Sequence, residues 1–165
     1  MTITVFTNAR LLDLQGGTLT APSAVLVEGD RISGIGATDG FPEGAKVIDL
    51  AGKTLMPGLI DCHFHVVAYS LDLWANAIAP DSLAGLRAAK VMSGLLDAGF
   101  TTIRDLGGAD LGLVRGVEEG LIDGPDLVIC GKGLSMTGGH TDLRQRTDVR
   151  PRCPWLAPRQ HGRSG

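Results

Sequence analysis

The spacing of apolar and polar positions changes once along the chain, near residue 53. Before it, "ITVFT", "AVLVEGDRISGIG" and "AKVIDL" are short β-rich runs separated by Gly, Pro, Asp and Asn. That pattern predicts three or four strands of small antiparallel β structure. Gly29 and Asp30 lie between two such runs and predict a hairpin turn. From Lys53 onward, strand-like runs alternate with helical spacing. "TLMPGLIDCHFH" enters a buried strand through Pro57 and Gly58. A helix follows from Asp81, which can cap it, to about Asp97, with Leu83, Leu86, Ala89, Met92 and Leu96 on one face and Gly99 at its end. "FTTIRDL" is the next strand, Leu111, Val114 and Val117 mark one face of a second helix closing near Gly120, and "DLVIC" is a third strand. Alternation of this kind predicts parallel βα units, so the expected fold class is α/β.

The pattern breaks again after Arg144. Pro151, Pro154 and Pro158 forbid both a continuous helix and a central strand, so 144–165 is expected to be irregular. Charge changes at the same place: residues 1–143 hold nine Lys and Arg against 17 Asp and Glu, whereas 144–165 hold six Arg against Asp148 alone. An arginine-rich end is one mark of a nucleic-acid arm. It comes here without interleaved aromatics or a basic helix, and no nucleic-acid partner is expected.

Composition narrows the class further. A chain of 165 residues can bury one domain core, and its 24 glycines suit tight turns between short elements. The apolar run Val66 to Pro80 is interrupted by Ser70, Asp72 and Asn76 and falls short of the roughly 20 residues of a membrane helix. "MTITVFTNAR" lacks the basic segment and apolar core of an export signal. Cys62, Cys130 and Cys153 are too unevenly spaced for a disulfide framework. The expectation is a soluble cytoplasmic protein without membrane association.

Candidate chemistry gathers in "PGLIDCHFH". Residues two apart on a strand share a face, so His63 and His65 are expected on one side, joined by Asp61, with Cys62 and Phe64 on the other. Two imidazoles on a rigid strand suit zinc and its neighbours, and Asp61 could orient one ring through its free nitrogen. The same pair could equally end a strand by bonding solvent or backbone. Arg104 and Asp105, closing the second strand, are expected to brace the rim by a salt bridge or turn cap rather than to touch substrate. Cys62 is expected to be a small buried packing residue, and His161 to be inert.

"KTLMPGLIDCHFH" resembles the opening of the catalytic barrel in the amidohydrolase superfamily of metal-dependent hydrolases. "GFTTIRDLGG" and "GKGLSMTGGH" are similar to the ends of the second and third barrel strands in its imidazolonepropionase-like and Xaa-Pro or Xaa-Arg dipeptidase-like branch. The resemblance covers residues 1 to about 143. It implies a partial TIM-type (β/α)8 barrel, its first three βα units in 56–143, preceded in 1–55 by the N-terminal part of a composite β-sandwich. It also implies that His63 and His65 are metal ligands for zinc or another divalent metal, one or two ions in the intact enzyme, that activate a hydroxide for attack on an amide or peptide C–N bond. His140, in a loop with Gly138 and Gly139, is then a candidate substrate contact, and Asp61 a support behind the ligands. The partner so implied is a small-molecule amide or dipeptide. A deaminase of the same superfamily and a non-catalytic metal-binding fragment are the alternatives.

A closed barrel takes about 250 residues, so 165 residues hold only part of this architecture. No catalytic proton-transfer residue is assigned within the chain, and Lys132 is not taken as the family's bridging lysine. The chain is expected to be truncated, its tail the product of a shifted reading frame or a mistaken gene end, inactive alone, and prone to self-association through the open barrel edge.

Overall fold

The structure is a computed structural model that describes residues 2–36, 40–136 and 139. His140, Gly138, Cys153, His161 and the Arg/Pro-rich segment lie outside the described residues. The chain divides into two compact units, Met1–Pro57 and Gly58–Gly165.

The first unit is a six-stranded sheet built on one long strand, β1 (Ile3–Asp13). β2 (Thr18–Leu19) and β3 (Ser23–Glu28) pair with β1 antiparallel, and β4 (Arg31–Gly36) pairs antiparallel with β3. The β3–β4 hairpin turns through Gly29 and Asp30, with Glu28 opposite Arg31 and Gly29 at φ 62°, a left-handed conformation that glycine adopts without steric cost. The antiparallel expectation fails for the rest of the sheet. β5 (Lys46–Asp49) and β6 (Thr54–Leu55) both pair with β1 in parallel. β3 lies along one edge of β1, so the later strands take the other edge, and they enter it in β1's own direction. Between Phe6 and Ala9, β1 carries one residue more than β3 and Asn8 swings to φ 54°, so the strand bends there. Val5, Ala9, Ala24 and Val25 form the buried centre of this unit.

The second unit is α/β. β7 (Leu59–Phe64), β8 (Phe100–Asp105) and β9 (Asp126–Ile129) form a parallel sheet in the order β7-β8-β9. The crossover from β7 to β8 contains α1 (Leu73–Ile78) and α2 (Asp81–Asp97), and the one from β8 to β9 contains α3 (Leu111–Glu118). α1 was not anticipated. Its signal is Asp72, whose carboxylate accepts from the Ala75 N–H at 2.9 Å and so caps a first turn. In α3 the same role falls to Asp110, which accepts from Gly112 and Leu113.

α2 matches its expected span but not its expected buried face. Ala84, Ala88 and Met92, each four apart, are buried, while Leu83, Leu86 and Leu96 remain exposed. A seam of small side chains lets the helix backbone approach the sheet, and the bulkier leucines flank it. The start also differs: Pro80 is the cap residue and Asp81 opens the helix, where its charge favours the positive end of the dipole. α3 is rotated in the same way, burying Leu113 and Gly116 and exposing Leu111. Val66, Ala88, Met92, Ile103, Ala109 and Leu113 make the core, joined by Phe64, Leu127 and Ile129 from the strands. No helix of the described residues is long and apolar enough to cross a membrane.

Candidate functional site

The C-terminal end of β7 is not a regular strand. Asp61 pairs with Ile103 and Phe64 with Asp105, so three steps along β7 oppose two along β8, and one extra residue is inserted at Cys62–His63. A bulge leaves backbone groups without ladder partners, and side chains take them up here. The Asp61 carboxylate accepts from the His63 N–H at 2.9 Å, and the Arg104 Nε–H donates to the Cys62 carbonyl at 2.9 Å.

The bulge revises which residues share a face. Paired residues in a parallel ladder point the same way, so Asp61 lies with buried Ile103 and Phe64 with buried Asp105, on the helix-covered side. His63 and His65 flank Phe64 and point to the open side. Asp61 therefore does not share their face, and the contact it makes is with the His63 backbone, not with a ring. Cys62 is displaced too: it is a free, exposed thiol, not a buried packing residue.

The two exposed imidazoles stand with ring centroids 5.5 Å apart and planes at 76°. Nδ1 of His65 lies 3.1 Å from the Gly107 carbonyl oxygen. A carbonyl can only accept, so this contact is a hydrogen bond when Nδ1 carries the ring proton, the tautomer that leaves the Nε2 lone pair free. Sequence reasoning missed this ring partner because it is a backbone group. Its signal was the glycine pair of "RDLGG". Gly107 takes φ 156° and Gly108 φ 114°, and a Cβ on Gly108 would collide with Val67.

Behind the rings, the Asp105 carboxylate is fully buried and accepts from Val66 N–H at 2.8 Å, Gly107 N–H at 2.9 Å and Ala109 N–H at 3.2 Å. The rim brace expected of Asp105 is thus made to backbone amides. Lys132 is exposed beyond β9.

Zinc binds an imidazole nitrogen at about 2.0–2.1 Å, which sets the ion roughly 3.2 Å from a ring centre, and two rings sharing one ion at 110–120° then stand roughly 5.2–5.5 Å apart. The observed spacing fits. The chemistry of the donors fits as well, since neutral imidazole is a good ligand for zinc-like divalent ions. Among the described residues no cluster of three or more His, Cys, Asp or Glu is placed to hold a metal ion, so the pair is an incomplete donor set.

The amidohydrolase family profile matches residues 54–160. The chain belongs to the amidohydrolase family. It is 35% identical over 127 residues to imidazolonepropionase of Vibrio cholerae, a match covering 72% of this chain and 28% of that protein. Among solved structures, a prolidase crystallised with N-methylphosphonate-L-proline superposes with TM-score 0.85 at 44% identity, over 90% of this chain and 36% of its own. A Xaa-Pro dipeptidase with bound methionine superposes with TM-score 0.77 over 90% of this chain and 39% of its own, a likeness of fold alone at 24% identity. The chain therefore spans about a third of the length of these proteins.

Proposed function

We propose that this chain is the metal-holding opening portion of a divalent-metal-dependent amidohydrolase that cleaves C–N bonds, with a dipeptide or related small amide as substrate. The observation that carries the reading is the pair of exposed imidazoles 5.5 Å apart, one with its Nδ1 3.1 Å from the Gly107 carbonyl oxygen, a contact that leaves Nε2 as the nitrogen available to a ligand. The prolidase relative supports the substrate class, because its bound molecule is a proline derivative.

In this reading residues 56–143 form the first three units of a (β/α)8 barrel, 1–55 the first part of a composite β-sandwich, and 144–165 a separate Arg/Pro-rich tail. Three parallel strands with helices on one face and imidazoles on the other support the barrel assignment. His63 and His65 would hold zinc or a similar ion. When bound, such an ion supplies an acidified water and polarises the amide carbonyl. The chain's own residues orient it: Asp61 and Arg104 hold the bulge that presents His63, and Gly107 fixes the ring of His65. His140 is assigned to substrate contact. Two imidazoles fall below the three protein ligands usual for catalytic zinc, so turnover is assigned to a protein of the relatives' full length, with this chain inactive by itself.

Titrating the purified chain with cobalt(II), followed by visible absorption and calorimetry, tests the reading. One ion per chain is expected, with affinity lowered about tenfold or more by His63→Ala and by His65→Ala and unchanged far-ultraviolet circular dichroism. Binding that survives both substitutions rules the site out.

A further inference from the structure

We propose that Asp105 is a positioning residue for His65, setting the tautomer of its ring through two stretches of backbone at once. The geometry is a closed circuit. Val66, the residue after His65, gives its N–H to Asp105 Oδ2 at 2.8 Å, and Gly107, whose carbonyl accepts from His65 Nδ1 at 3.1 Å, gives its own N–H to Asp105 Oδ1 at 2.9 Å. One carboxylate thus fixes both ends of the His65–Gly107 bond. Ala109 N–H adds a third bond at 3.2 Å, and the Asp105 carbonyl accepts from Cys130 N–H at 3.2 Å, which ties the circuit to the start of the loop after β9.

The side chain is fully buried, so it has no solvent to replace these partners, and bonds from amides to a carboxylate are about twice as strong as neutral ones. Both glycines of "RDLGG" serve the same end. Gly107 and Gly108 adopt positive φ, which brings the loop backbone over His65 and Val67. The circuit therefore aims a carbonyl at Nδ1, a proton must sit between them, and Nε2 is left as the free nitrogen. Only that last consequence depends on the proposed metal site; the tautomer is a property of the metal-free chain.

The test is two-bond proton–nitrogen correlation on uniformly 15N-labelled, metal-free chain at about pH 8, where an ordinary imidazole is neutral. The wild-type His65 ring is expected in the Nδ1–H form, with the Val66 and Gly107 amides protected from exchange. Asp105→Asn puts an amide NH2 where one of the two accepting oxygens stands. It is expected to shift His65 toward the Nε2–H form that unconstrained side chains favour and to speed exchange at Val66 or Gly107 by about tenfold or more. Met92→Leu, which perturbs the same core mildly without touching the circuit, is expected to leave the tautomer unchanged, and this separates positioning from general stability. Asp105→Asn retaining a pure Nδ1–H ring overturns the proposal. Wild-type chain with His65 in the Nε2–H form, or with Val66 and Gly107 unprotected, overturns it equally, and these two readouts decide the matter should the variant fail to fold. Wild-type chain that shows the Nδ1–H form but binds no cobalt(II) would count against the metal site alone.

Discussion

Val67 occupies the space that a Cβ on Gly108 would need, while Gly108 itself holds φ at 114°. Both constraints act on one residue of the loop that carries the His65 ring partner. Gly108→Ala should therefore destabilise the second unit by about 2–4 kcal/mol, combining backbone strain with overpacking. Val67→Ala in the same chain should restore only the steric part, about 1–2 kcal/mol. Urea unfolding of wild type and the two variants measures this, and an unchanged midpoint for Gly108→Ala would refute it.

Arg104 bonds the Cys62 carbonyl exposed by the bulge. The Arg104 side chain is itself exposed, so Arg104→Met should cost no more than about 1 kcal/mol of stability, because water can take over the carbonyl. The presentation of His63 should suffer more than the fold. Cobalt(II) affinity is expected to fall several-fold, and calorimetry showing full affinity would mean that the bulge holds its shape without this bond.

Core and surface separate sharply along α2. Met92 is fully buried, whereas Leu86 is 71% exposed. Met92→Ala should cost about 2–5 kcal/mol, which is comparable to the whole stability of a marginal domain, and Leu86→Gln should change stability by less than about 0.5 kcal/mol. Equal losses in thermal unfolding would show that the buried face has been misassigned.

That contrast also shows what the sequence made legible. The periods of two and 3.6 are read from side-chain alternation, so the existence, order and class of β7, α2, β8, α3 and β9 followed directly, as did the Gly29–Asp30 turn. Helix rotation did not. Leu83–Leu86 and Ala84–Ala88 are adjacent stripes on the same helix, and the choice between them depends on how closely the sheet approaches. The parallel return of β5 and β6 was hidden for a similar reason, since strand direction is set by the connection that crosses from β4 to the free edge of β1, which side-chain alternation does not record. At the candidate site, His63 and His65 were legible because alternation holds across Phe64. Asp61 and Cys62 were assigned to the wrong faces because a bulge shifts the alternation by one, and its marks are the bonds from His63 N–H to Asp61 and from Arg104 to Cys62, which no local pattern announces.

Ile60 and Val128 are 65% and 55% exposed on the sheet face opposite the helices. Apolar side chains on an open sheet face favour association between copies. The chain should self-associate in a concentration-dependent manner, and Ile60→Thr with Val128→Thr should shift the association midpoint upward about tenfold while leaving the fold intact. Sedimentation velocity over a dilution series decides it; a monomeric wild type would contradict the expectation.

In the first unit, Asp49 joins two residues in the left-handed region. Its Oδ1 accepts from the Ala51 N–H at 2.8 Å and from Asn8 Nδ2 at 2.9 Å, with Ala51 at φ 49° and Asn8 at φ 54°. The Ala51 backbone bond, followed by the Asn8 side-chain bond, holds the Asp49 carboxyl below the usual carboxylate range. A depressed folded-state value means that the ionised form is the one stabilised. The contribution is therefore fully present above the unfolded-state value and is lost as pH falls through the lower folded-state value. Asp49→Asn should be less stable than wild type at neutral pH, and the gap should close on the acid side of that window as wild-type Asp49 takes up its proton. Urea midpoints of both chains across an acid series measure the gap; one that widened on acidification would show that the charge of Asp49 does not hold this corner.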